Sequence, residues 1–137
     1  MNRANLITLA KYFAQHKKLK AKFNMSVYCE DGYFSSTNCG SIGCAVGHGP
    51  YAGISKSKDE KWLHYGQRVF DVNMAEFCFL FSYSWHSVDN TKAGLVRRIN
   101  YFLKNGVPGS FNTAYNNSYI LAKKEYNQPE FNEIPKE

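Results

Sequence analysis

A mainly α, compact single-domain fold is what this sequence predicts, and three observations predict it. Apolar residues recur at helical spacing in several separate stretches. Capping residues and glycine or proline stops bracket those stretches. Aromatic residues make up 16% of the chain, with ten Phe, ten Tyr and two Trp, enough large apolar surface to offset the conformational entropy of ordering one core. At 137 residues, two independent cores would each be small, so one domain over residues 1–126 is expected, followed by a flexible C-terminal tail over residues 127–137.

From Asn5 to His16, Leu6, Leu9, Ala10 and Phe13 fall at i, i+3, i+4 and i+7 and share one helical stripe. The cations that follow, Lys17, Lys18, Lys20 and Lys22, suit the negative end of the helix macrodipole. Around Asp31-Gly32, flanked by Tyr28 and by Tyr33-Phe34, the helical stripe gives way to a turn signal and a small β-hairpin is expected. Trp62, Tyr65, Val69 and Phe70 return to helical spacing. Asn73 then caps a segment over 74–84 whose stripe is Met74, Phe77, Cys78 and Phe81, with Phe79 and Leu80 widening it until it reads as the most buried helix. Asp89-Asn90-Thr91 forms a capping cluster for a helix over 91–104, with Val96, Ile99, Phe102 and Leu103 as its stripe and Asn105-Gly106 and Pro108 as its stop. Tyr115, Tyr119, Ala122 and Tyr126 fit a one-sided helix, while Asn112, Asn116, Asn117 and Ser118 leave a hairpin open over 109–126. The tail holds two of the four prolines and three glutamates, with little to bury.

The most unusual stretch is Asn38-Cys39-Gly40-Ser41-Ile42-Gly43-Cys44-Ala45-Val46-Gly47-His48-Gly49-Pro50, with four glycines and two cysteines in thirteen residues. It reads as a short helix over Cys39 to Gly47. Glycine inside a helix costs up to about 1 kcal/mol relative to alanine, so close approach of another backbone is the expected compensation and the helix is expected to be buried.

Three kinds of chemistry can be placed on these residues. Cys44 and His48, four apart, share a helical face, and Cys39 and Cys29 complete a soft tetrahedral set for zinc, although the paired Cys-x-x-Cys clusters of a zinc ribbon are missing. Cys44 or Cys39 near a helix N-terminus would alternatively be a thiolate nucleophile, with His48 beside Cys44, or with His64 or His86 and Asp89 or Asn90 recruited by folding. The glycines lack the Lys-Ser/Thr step of a Walker A loop, which removes standard nucleotide binding. Against these readings stands the ordinary fate of free cysteines, buried structural thiols, and no cofactor is the expectation. A formal net charge of +6 makes acidic proteins, anionic ligands and nucleic acid plausible partners. The basic residues Lys17, Lys18, Lys20, Lys22, Arg97 and Arg98 are the candidate binding set.

The Asn38–His48 stretch resembles a group of small bacteriophage and bacterial proteins that carry a Cys-Gly-Thr-x-x-Cys-x-x-Gly core. The aromatic segment Trp62–Phe70, the Phe77–Trp85 run and the Asp89-Asn90-Thr91 start are similar to the same group, over about residues 23 to 105. Ser41 stands where threonine is usual, and His48 where tryptophan is often found, which argues against an essential ligand or base at that position. The resemblance implies a phage origin and carries no catalytic residues. The start at Met1-Asn2-Arg3 reads as an amphipathic helix rather than an export signal, and the longest strongly apolar run, Phe77–Phe81, is far short of the roughly 20 residues of a membrane span. The expectation is therefore a cytoplasmic, non-enzymatic accessory protein that binds a host macromolecule, a host protein such as a defence component before nucleic acid, with a Cys/His-centred zinc domain or thiol enzyme as the competing class and a nucleic-acid or nucleotide-ligand binder as the third.

Overall fold

The structure, a computed structural model, describes residues 1–15 and 45–136, and the backbone at Lys22–Phe23 and Ile42–Gly43. It is mainly helical, as the spacing predicts. Among the described residues five α-helices carry it: α1 (Arg3–Gln15), α2 (Trp62–Phe70), α3 (Met74–Phe81), α4 (Lys92–Asn105) and α5 (Asn117–Tyr126). Short 3-10 turns at Val46–His48, Pro50–Ala52, Tyr83–Ser87 and Pro129–Asn132 punctuate them.

Each helix buries the face its sequence marks. In α1, Leu6, Leu9, Ala10 and Phe13 are buried together with Ile7 and Tyr12, and Asn2 caps the helix by accepting from the Asn5 amide at 3.0 Å. The Asn2 amide donates to the Phe70 carbonyl at 2.7 Å and the Asn5 side chain to the Val69 carbonyl at 2.6 Å, so the start of α1 is tied to the end of α2. Where α2 meets α3, a Cβ on Gly66 would collide with the Phe77 ring; glycine is what lets the two helices touch. The capping box that starts α3 is reciprocal: Glu76 N donates to Asn73 Oδ1 and Asn73 N to Glu76 Oε1, both at 2.9 Å. Phe77, Phe79, Leu80 and Phe81 are all fully buried. Helix α4, capped by Thr91 Oγ1 at 2.9 Å from the Gly94 amide, lies at the centre, packed against α1, α3, α5 and the Pro129–Asn132 turn.

Several expectations change. The segment over 109–126 is a helix rather than a hairpin from Asn117 onward, because Tyr119, Ala122 and Tyr126 bury one stripe and Ser118 accommodates the polar entry by donating to the Asn112 and Tyr115 carbonyls at 2.6 and 2.8 Å. The expected glycine-rich α-helix over Cys39–Gly47 is not continuous. Its described parts are a strand residue pair, β2 (Ile42–Gly43), and the 3-10 turn Val46–His48, in keeping with the helix cost of its glycines. Ala45, Val46 and His48 are nonetheless buried. β2 pairs in parallel with β1 (Lys22–Phe23), Lys22 opposite Ile42 and Phe23 opposite Gly43; a parallel pair is not a hairpin. The turn expected at Asp31-Gly32 lies outside the described residues. Residues 129–132, assigned from the sequence to a flexible tail, form a turn seated on α4: Phe131 is buried, its carbonyl accepts from Asn100 Nδ2 at 2.7 Å, and its ring meets Tyr101 edge to face at 5.1 Å.

Candidate functional site

Two regions of the described structure stand apart from ordinary core and surface: a buried charge cluster and an open groove above it. The cluster is built on Arg98, whose side chain is fully buried. Its guanidinium lies over the Trp85 ring at 4.4 Å, Nη1 donates to Tyr126 Oη at 3.2 Å, and Tyr126 in turn donates to Asp89 Oδ2 at 2.7 Å. The Arg98–Asp89 ion pair itself is long, at 3.9 Å. Thr91 Oγ1 donates to the other Asp89 oxygen at 2.6 Å. Burial alone would raise the Asp89 carboxyl, but the Thr91 and Tyr126 hydrogen bonds and the Arg98 charge together outweigh it and hold the group below its ordinary value. Burial pushes the Tyr126 phenol up, so it stays a neutral donor to the carboxylate.

The groove, about 650 Å3, runs between the Tyr83–Ser87 turn and α5. The turn is fixed from below: Ser82 Oγ caps it by accepting from the Ser84 amide at 3.2 Å, and Trp85 is driven inward, its Nε1 donating to the Phe79 carbonyl at 2.7 Å. Across the groove, Tyr119 Oη donates to Ser82 Oγ at 3.0 Å and Lys123 Nζ to the Val88 carbonyl at 3.1 Å, so both walls are held in register. Tyr119 and Val88 form its floor, and Ser84, His86, Ser87, Asn116 and Asn117 its polar sides. Tyr83 and Ile120, 50% and 53% exposed, stand on its rims. They are two of the seven large exposed apolar residues described, and both line the groove.

The residues singled out from the sequence fall elsewhere. Cys29, Cys39, Cys44, Lys17, Lys18 and Lys20 lie outside the described residues, and of Lys22 only the backbone is described. His48 is enclosed by Tyr12, Phe13 and Tyr51, with Nδ1 3.1 Å from Tyr12 Oη. Arg98, expected on a basic surface, is a core residue. Arg97 remains at the surface, donating from Nη1 to Asn132 Oδ1 at 3.0 Å and lining a smaller hollow of about 310 Å3 between α1 and α4. Among the described residues no group of three or more His, Cys, Asp or Glu side chains is arranged to hold a metal ion. Cys78 is half-buried, and burial pushes its thiol up, away from the reactive thiolate. His86 is exposed at the groove rim, with Nδ1 3.3 Å from Asn90 Nδ2, whereas Asp89 points into the core; the two do not pair into a relay. No helix of the described residues is long and apolar enough to cross a membrane.

The groove is invisible to spacing arguments, since the bonds that join its walls, Tyr119 to Ser82 and Lys123 to Val88, span thirty-seven and thirty-five residues. One signal pointed to it: the buried stripe Tyr119, Ala122, Tyr126 leaves Ile120 and Leu121 on the outward side of α5. The chain matches no known protein family, no curated protein and no solved structure.

Proposed function

We propose that this chain is a non-enzymatic accessory protein of a bacteriophage that works in the host cytoplasm by binding a host macromolecule, a protein of the defence machinery fitting best, and modulating it through the groove between the Tyr83–Ser87 turn and α5. The observation that carries this reading is the exposure of Tyr83 and Ile120 on the rims of a groove whose walls are already cross-bonded. Exposed apolar side chains rimmed by polar ones mark interaction sites, and a wall held in place before binding spares the ordering entropy that a loose surface would lose. The phage origin rests on the Cys39–Gly47 resemblance.

A photo-crosslinking amino acid at Ile120, compared with one at Thr8 on the exposed side of α1, tests the reading in host cells. A single host protein captured from position 120 and absent from position 8 is the expected result. Identical patterns from both positions, or no adduct at 120, would overturn it.

A further inference from the structure

The chemistry of the groove narrows the partner, on the reading just given that the groove is where binding occurs. Its ten lining residues include one ammonium, Lys123, and one imidazole, His86, and no carboxylate. Asp89, the nearest acid in sequence, is turned inward onto Arg98, Tyr126 and Thr91; it feels the Lys123 charge but does not itself line the groove. Asn116 and Asn117 present donors at the positive end of the α5 dipole, where no side chain caps the helix. The chain as a whole carries a formal charge of +6. Beside these donors stand the apolar rims, Tyr83 and Ile120.

We infer that the groove takes an acidic linear segment of a partner protein, with one apolar side chain against Tyr83 and Ile120 and a carboxylate on Lys123 and His86. Two other occupants fit less well. A nucleic-acid strand needs a file of Lys and Arg contacts along its phosphates and open aromatic faces for its bases. Here a single lysine lines the groove, and of its two aromatics Tyr119 is buried and packed edge-on against Trp85 at 4.9 Å, which leaves Tyr83 as one isolated exposed ring. Small-molecule sites enclose most of their ligand in apolar walls, whereas this groove is open and half its lining is serine, asparagine or histidine. A short peptide meets both demands of the surface: one hydrophobic anchor and one or two charge-assisted hydrogen bonds.

Selection of a displayed library of random dodecapeptides on the full-length protein tests the assignment. Enriched peptides are expected to be rich in Asp and Glu around an apolar residue. The best of them, made synthetically, should bind about tenfold more weakly to Lys123→Glu or His86→Glu and lose a similar factor between low and high salt. Lys123 also bonds the Val88 carbonyl, so circular dichroism is recorded for each variant; the exposed His86→Glu carries the comparison where Lys123→Glu does not fold. Selection of basic or uncharged peptides, or binding indifferent to both substitutions in folded protein, overturns the inference. If cross-linking at Ile120 persists in that case, only the partner's chemistry is wrong; if it fails as well, the groove is not the binding surface.

Discussion

A Cβ on Gly94 would overlap the Asp89 carboxylate, so the lack of a side chain at position 94 is what allows that carboxylate to lie across the first turn of α4. From there Asp89 accepts from Thr91 and Tyr126 and faces Arg98. Gly94→Ala sets two effects against each other. Helix propensity favours alanine by about 1 kcal/mol, while forcing a buried group out of place costs about 1–3 kcal/mol, and here it also breaks two hydrogen bonds. The steric side should win. Urea unfolding is expected to show a net loss for Gly94→Ala and no loss for Gly109→Ala, where nothing lies within 4 Å of an added Cβ. A stabilised Gly94→Ala would mean that Asp89 is free to move.

The same carboxylate should make stability depend on pH. Its folded value lies below the ordinary 3.8. Ionised Asp89 therefore stabilises the fold in full above about pH 4, and that contribution is lost as pH falls through the folded value. Asp89→Asn keeps an oxygen acceptor for only one of Thr91 and Tyr126 and leaves the Arg98 charge buried without its counter-ion. The variant is expected to be less stable than wild type at pH 6 by about 3 kcal/mol, and the gap should narrow toward pH 3. Urea midpoints at both pH values decide it; a gap that stays constant would place the acid sensitivity elsewhere, for example at the exposed Glu60–Arg68 pair.

How much of this was legible in the sequence depends on whether the deciding contacts are local. The helices were, because a buried stripe and its caps lie within one stretch of chain: Leu6, Leu9, Ala10 and Phe13 in α1, or Asn73 with Glu76 at the start of α3. Arg98 and Arg97 are adjacent in sequence and read as one basic pair, yet neighbours in a helix point about 100° apart, and only Arg98 faces the core. Leu95, Arg98 and Phe102 fall at i, i+3 and i+7 and are all buried, a pattern that the charge of the arginine concealed. The phenol that accepts from its guanidinium, Tyr126, is twenty-eight residues away and cannot be read from spacing. The groove has the same origin, since the Tyr119–Ser82 and Lys123–Val88 bonds that set its width span thirty-seven and thirty-five residues. In the Cys39–Gly47 stretch, glycine content outweighed the apparent helical pattern at Ile42–Gly43.

A lone aromatic between prolines and glutamates gives no periodicity, yet Phe131 fixes the segment after α5 to the central helix. Its ring is 5% exposed, and around it Lys104 pairs with Glu130 at 3.1 Å and Arg97 with Asn132 at 3.0 Å. The two surface contacts are solvent-exposed and contribute little each, so the ring and the Asn100–Phe131 hydrogen bond should carry most of the docking energy. Phe131→Ala removes the buried ring and is expected to cost about 3 kcal/mol, whereas Glu130→Gln should cost less than about 0.5 kcal/mol. Hydrogen exchange adds a local readout: the amide of residue 131, which donates to the Gln128 carbonyl, should lose protection in Phe131→Ala while α1 keeps its own. If the two substitutions had equal and small effects on the urea midpoint, the turn would be held by its surface charges alone, and its place on α4 would be incidental to the stability of the fold.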